Sequence, residues 1–187
     1  MNIVEVPIEG VLIVEPRVFE DKRGFFMETY HQDRYQKCGI SQIFAQDNLS
    51  FSVKNTLRGL HFQVRHPQAK LIQVICGEIF DVAVDIRPES PTFGNWTGIR
   101  LSGQNKRQLF ISEGFAHGFC VLSETVHFLY KCSDVYMPDD EGGILWSDPE
   151  IGIDWPVDDP ILSHKDEEHP LLSDLRPEQL FAPGDKP

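Results

Sequence analysis

The sequence predicts an all-β protein, a sandwich or jelly roll, and three observations carry that expectation. Short β-type runs recur along the chain and are separated by glycine-rich turns. In the clearest run, Phe80-Asp81-Val82-Ala83-Val84-Asp85-Ile86, apolar residues alternate with acidic or small ones. One face should therefore enter a core while the other meets water or a polar cavity. Helical signal is thin, limited to residues 31–38, stopped at Gly39, and a turn at 177–180. Many short strands bury their apolar faces by packing two sheets or closing one, and the pattern alone leaves sandwich and jelly roll both open.

In chain order, residues 11–15 and 25–30 form the first two runs. Thr56-Leu57-Arg58-Gly59-Leu60-His61-Phe62-Gln63 reads as a strand, and Lys70 precedes a long alternating segment. Runs 71–76 and 79–86 are separated by Gly77-Glu78, which marks a tight reversal. Runs 97–101, 108–111, 118–122 and 126–131 complete the set. There is no repeat, low-complexity block or internal linker, so 187 residues are most economically one domain, 1–187, with a substantial core.

Charge is unevenly placed. Residues 139–187 hold 14 acids and 3 bases, against 15 acids and 14 bases in 1–138, within a net charge of −12. Nucleic-acid binding wants a basic face and is not expected; the acidic segment reads as a solvated face. No run of ~18 apolar residues could span a membrane. The first ten residues carry two acids and no base, which argues against a signal peptide. Cys38, Cys76, Cys120 and Cys132 are scattered, as expected of reduced thiols in a cytoplasmic protein.

The chemistry concentrates around histidines. His61 stands two residues after Gly59, near Arg58 and Lys70. A cation, an imidazole and an amine suit a reaction that builds negative charge while a proton moves; a half-buried strand with a hydrogen-bonded histidine accounts for the same residues. Gly114-Phe115-Ala116-His117-Gly118-Phe119 repeats the glycine-flanked histidine, Phe128-Leu129-Tyr130-Lys131 adds a tyrosine, and Glu141-Gly142-Gly143-Ile144-Leu145-Trp146 follows. With Gln46-Asp47-Asn48-Leu49-Ser50, Ser90-Pro91-Thr92-Phe93-Gly94 and Asp148-Pro149-Glu150-Ile151-Gly152, these motifs make the chain, from about residue 11 to 166, resemble the dTDP-4-dehydrorhamnose 3,5-epimerases. Those are cofactor-free sugar-nucleotide epimerases of the cupin class.

The resemblance implies a cupin-type jelly roll with the acidic segment, about 139–187, packed around it. It also implies a homodimer with N-terminal strands exchanged or extended between subunits, a dTDP-sugar substrate, and no cofactor or metal. The implied reaction inverts C3 and C5 of dTDP-4-keto-6-deoxy-D-glucose, in dTDP-L-rhamnose biosynthesis. His61 would be the base and Asp166 the carboxylate on its second nitrogen. Tyr130 would be the acid, since a phenol of pKa ~10 holds its proton at neutral pH. Lys70 and His117 would face the enolate oxygen. Arg23, Glu28, Gln46, Asp47, Asn48, Arg58, Glu141 and Lys165 match binding positions, arginine suiting a diphosphate through its planar fork.

Ser112, Ser147 and His164 depart from the family pattern, the last replacing an acid beside Lys165-Asp166. Three alternatives stand. A single-centre 3- or 5-epimerase would use the same residues. A non-catalytic binding module would be expected to lack His61 or Tyr130. A metal-dependent cupin would need about three ligands, whereas Phe62-Gln63 follows His61 in place of a His-x-His pair.

Overall fold

The structure is a computed structural model and describes residues 1–5 and 8–181, so positions 182–187 of the acidic segment lie outside the described residues. In chain order the strands are β1 (Asn2–Glu5), β2 (Val11–Glu15), β3 (Val18–Asp21), β4 (Gly24–Met27) and β5 (Gln46–Val53). Next come β6 (Leu57–Gln63), β7 (Lys70–Cys76), β8 (Glu78–Asp85) and β9 (Trp96–Ser102). β10 (Gln108–Ile111), β11 (Phe115–Val121), β12 (Thr125–Cys132) and β13 (Glu141–Gly143) complete them. Two short helices, α1 (Gln32–Gln36) and α2 (His164–Glu167), are joined by brief 3-10 turns, one at Pro177–Gln179 where the sequence predicts a turn.

Two antiparallel sheets face each other, ordered β1-β2-β10-β7-β12-β5 and β13-β6-β11-β8-β9, with β3-β4 as a separate hairpin. This is the expected jelly-roll class. The reversal at Gly77 carries the chain from the first sheet to the second, so β7 and β8 are not hairpin partners. Between the sheets, Ile72, Val74, Leu109 and Phe128 of one wall meet Ile79, Ala83 and Phe119 of the other. The outer face of the second sheet is covered by the C-terminal segment, with Ile144, Ile151, Leu172 and Leu180 packed on Leu60, Val82 and Val84.

The alternation in β8 therefore has no wet face. Val82 and Val84 enter the outer cluster, while Asp81 and Asp85 are fully buried on the inner side. Asp85 is satisfied by Arg87, Ser90 and Thr92. Helix α1 is shorter than the predicted 31–38; Tyr35 anchors it through a hydrogen bond to Gln108 of 2.7 Å. The run expected at 25–30 keeps strand geometry only to Met27. Strand β5 was not expected as a strand, because its inward residues (Gln46, Asn48, Ser52) are polar and its outward ones (Leu49, Phe51, Val53) apolar. Among the described residues no helix is long and apolar enough to cross a membrane, and the four cysteines are unpaired.

Candidate active site

Between the sheets lies a cleft of about 290 Å³, and a second space of about 250 Å³ shares His61, Lys70 and Tyr130 with its lining. One wall is the first sheet, contributing Gln46, Asn48, Lys70, Tyr130 and Cys132; the other offers His61, Gln63 and Glu141, with exposed Arg58 and buried His117 on the second space.

The glycines flanking the histidines have a geometric reason. His117 pairs with His61, but Phe119 pairs with Arg58, so β6 holds one residue more than β11 across this stretch. Such a bulge re-aims side chains, and it lets Arg58 and His61, three positions apart, both face the cleft. Gly59 sits at φ +128° in the bulge, and a Cβ there would stand 2.5 Å from the Cα of Gly118. Only two glycines allow that approach.

His61 Nε2 lies 2.6 Å from Asp166 Oδ1. Ser163 caps α2 and its hydroxyl donates to Asp166 Oδ2 at 2.8 Å, while the Asp166 backbone N–H donates back to Ser163. Burial would raise the Asp166 pKa, but hydrogen bonds from His61 and Ser163 outweigh it and hold the carboxyl below its usual range. An ionised Asp166 only accepts, so Nε2 of His61 carries the proton and Nδ1 is left with its lone pair.

Deeper in, His117 Nε2 lies 3.0 Å from both carboxylate oxygens of Asp81. The His117 ring stacks on Phe128 at 6.3 Å, and Phe128 in turn supports Tyr130 at 5.3 Å. Burial lowers the His117 pKa and raises that of Asp81. Lys70 is partly open to the cleft, yet enclosure of its amine lowers its pKa. Burial raises the Tyr130 pKa, keeping the phenol protonated.

Among the other sequence-predicted residues, Gln46 and Asn48 hydrogen-bond each other at 2.9 Å in the cleft wall. Arg58 donates to Ser52 at 3.2 Å. Glu141 is held by Lys165 at 2.5 Å and by the Tyr136 hydroxyl at 2.6 Å; burial opposes ionisation there, but these partners keep its pKa low. Three residues are not brought into the cleft of this chain. Arg23 is bound to Asp21 in the β3-β4 hairpin, Glu28 to Arg34, and Asp47 points out of β5 to Lys131 at 2.9 Å. His164 faces away, toward Glu167 and Glu168.

Sequence reasoning missed Tyr136, Gln63, Asp81 and His169. Gln63 accepts from the Met137 backbone at 2.8 Å and donates to the carbonyl of Val135 at 3.3 Å, which fixes the loop that brings Tyr136 to the cleft. Asp81 had a legible signal, an acid at the inward phase of an apolar strand. Tyr136 and His169 lie in irregular segments, where no periodicity marks a side chain's direction.

The family model described as dTDP-4-dehydrorhamnose 3,5-epimerase matches residues 5–174. The chain belongs to this family. It is therefore an isomerase, an epimerase by class. The dTDP-4-dehydrorhamnose 3,5-epimerase of Shigella flexneri is 55% identical over 168 residues, 89% of this chain and 93% of that one. The Escherichia coli K12 enzyme of the same name is 50% identical, covering 97% of this chain and 100% of its own. The crystal structure of a dTDP-6-deoxy-D-glucose-3,5-epimerase from Legionella pneumophila, in complex with dTDP-4-keto-L-rhamnose, superposes with a TM-score of 0.94 at 49% identity, covering 96% of this chain and 97% of that chain. The epimerase architecture is thus shared over nearly the whole chain.

Proposed function

We propose that this epimerase converts dTDP-4-keto-6-deoxy-D-glucose to dTDP-4-keto-L-rhamnose by removing protons at His61 and returning them from Tyr130. One observation carries the reading. His61 belongs to the second sheet and Tyr130 to the first, so the two groups stand on opposite walls of one cleft. A carbon inverts when its proton leaves from one face and another arrives on the opposite face.

The C–H bonds beside the C4 ketone are acidic because the electron pair can move onto the ketone oxygen. His61 Nδ1 takes the proton, and the imidazolium formed is stabilised by Asp166 through Nε2–H. Lys70, with its lowered pKa, is a donor positioned for the enolate oxygen, and His117, whose Nε2 is engaged with Asp81, can add a donor only from Nδ1. Tyr130 donates its proton to the carbon and regains one from solvent, to which His61 releases the proton it took. Repeating the cycle at the second carbon completes the double inversion. Gln46, Asn48, Arg58, Glu141 and Lys165 are assigned to the nucleotide sugar.

Arg23, Glu28 and Asp47 join the site through a second copy of the chain. The support is an exposed apolar strip on the outer face of the first sheet (Leu49, Phe51, Val53 and Ile75) beside outward-facing Asp47. A homodimer formed there would cover the β5 edge and carry the partner's N-terminal hairpin toward the cleft. We assign the whole chain to one domain working in the cytoplasm, where its unpaired cysteines stay reduced.

The direct test is incubation of the purified enzyme with dTDP-4-keto-6-deoxy-D-glucose in heavy water. Deuterium at both C3 and C5 of the product is expected. Exchange at a single carbon would assign a single-centre epimerase instead.

A further inference from the structure

One donor atom each from His61, Asp166 and His169 lies within 4.8 Å of the other two. His61 Nε2 is 2.6 Å from Asp166 Oδ1, and His169 Nε2 approaches the same oxygen at 3.8 Å. The His169 side chain is 10% exposed, and its Nε2 is buried with no hydrogen-bond partner among the described residues. A buried nitrogen left without a partner is costly and calls for a ligand. Its place is fixed by Gly143, where a Cβ would come within 2.2 Å of the ring, and its ring meets that of His61 edge-on at 5.6 Å. Ser163 occupies Oδ2 of Asp166, so Oδ1 is the oxygen turned toward both imidazoles.

We propose that His61, Asp166 and His169 form a site for a divalent transition-metal ion of the zinc type, and that the ion inhibits the epimerase. Two imidazoles and one carboxylate are a donor set that zinc accepts, at ~2.0–2.2 Å each, with water completing an open tetrahedral site. Donors around such an ion stand ~3.3 Å apart. The His61–Asp166 pair need only open slightly and His169 close in. His164, the nearby departure from the family pattern, is turned away and takes no part.

The inhibition follows from the tautomer and rests on His61 being the base. In the working enzyme Nε2 carries the proton and Nδ1 the lone pair. An ion bound at Nε2 moves that proton to Nδ1, leaving the imidazole neutral and the proton count unchanged. Nδ1 then has no lone pair to accept a substrate proton. The ion also draws off the Asp166 charge that would stabilise an imidazolium.

The test compares chelator-stripped wild-type enzyme with the His169→Ala and His169→Gln variants. Zinc bound per chain is measured by equilibrium dialysis, and turnover is followed against buffered free zinc. Wild type is expected to bind zinc at one site per chain and to lose turnover, regaining it with EDTA. Both variants should turn over normally without metal and need at least ~10-fold more zinc for equal inhibition. Absence of zinc binding by wild type at micromolar free metal, or equal zinc sensitivity in the variants, would overturn the site. Zinc binding that depends on His169 but leaves turnover intact would refute the inhibition and remove His61 as base. Should both variants fail to fold, cobalt substitution of wild type decides: an intense tetrahedral visible spectrum supports the site, and an unchanged aqueous spectrum rejects it.

Discussion

At the residue scale, the pairing of His61 with Asp166 shows what a sequence can and cannot convey. The two are 105 positions apart, and only the resemblance joined them; in the fold they are 2.6 Å apart because α2 is set behind β6. His61→Asn keeps a side chain of similar size but removes the proposed base, and should lower turnover by ~10²–10⁴-fold with an unchanged circular dichroism spectrum. Asp166→Asn should be comparably severe, because its amide can no longer take a charge that supports the imidazolium. Near-native turnover in either variant would separate that residue from the mechanism. Gln46, Asn48, Arg58, Lys70, His117, Tyr130 and Glu141 were all legible through family motifs and do reach the cleft. His169 was not, because a histidine in a proline-flanked irregular segment has no phase to read.

At the element scale, β8 and its following loop depend on a buried acid. Asp85 ends the strand, accepts from Arg87 at 2.6 Å and 2.8 Å, and ties Ser90 and Thr92 at 2.6 Å each. Burial alone would raise its pKa, but those hydrogen bonds prevail and lower it. A lowered folded-state value contributes stability that is complete above the unfolded pKa of ~3.9 and disappears as pH falls through the folded value. Asp85→Asn should cost on the order of 3 kcal/mol near neutrality. The difference in Tm between wild type and variant should shrink as pH falls from about 5 toward 2; a constant difference would contradict this role. The sequence pattern announced β8 correctly as a strand, yet alternation could not distinguish a wet face from a polar interior. It likewise hid β5, whose inward polar residues line the cleft and whose outward apolar residues are exposed.

At the scale of the whole molecule, many short strands without helical connections indicated two packed sheets, and the resemblance narrowed this to a jelly roll. The proposed sharing of a site between subunits rests on the resemblance and on the exposed apolar face of the first sheet, because one chain's pattern does not record its neighbour. A mass in solution near twice 21.4 kDa at micromolar concentration is expected; a fully active monomer would refute the shared site. The two-sheet architecture has one consequence above the rest, which is that His61 and Tyr130, the proposed base and acid, stand on opposite walls of the cleft. Tyr130→Phe keeps the ring against Phe128 and deletes only the hydroxyl, so stability should change little. In heavy water this variant should still exchange substrate hydrogen for solvent deuterium through His61, while inverted product falls by ~10²-fold or more. Inverted product formed at the wild-type rate by Tyr130→Phe would contradict the account.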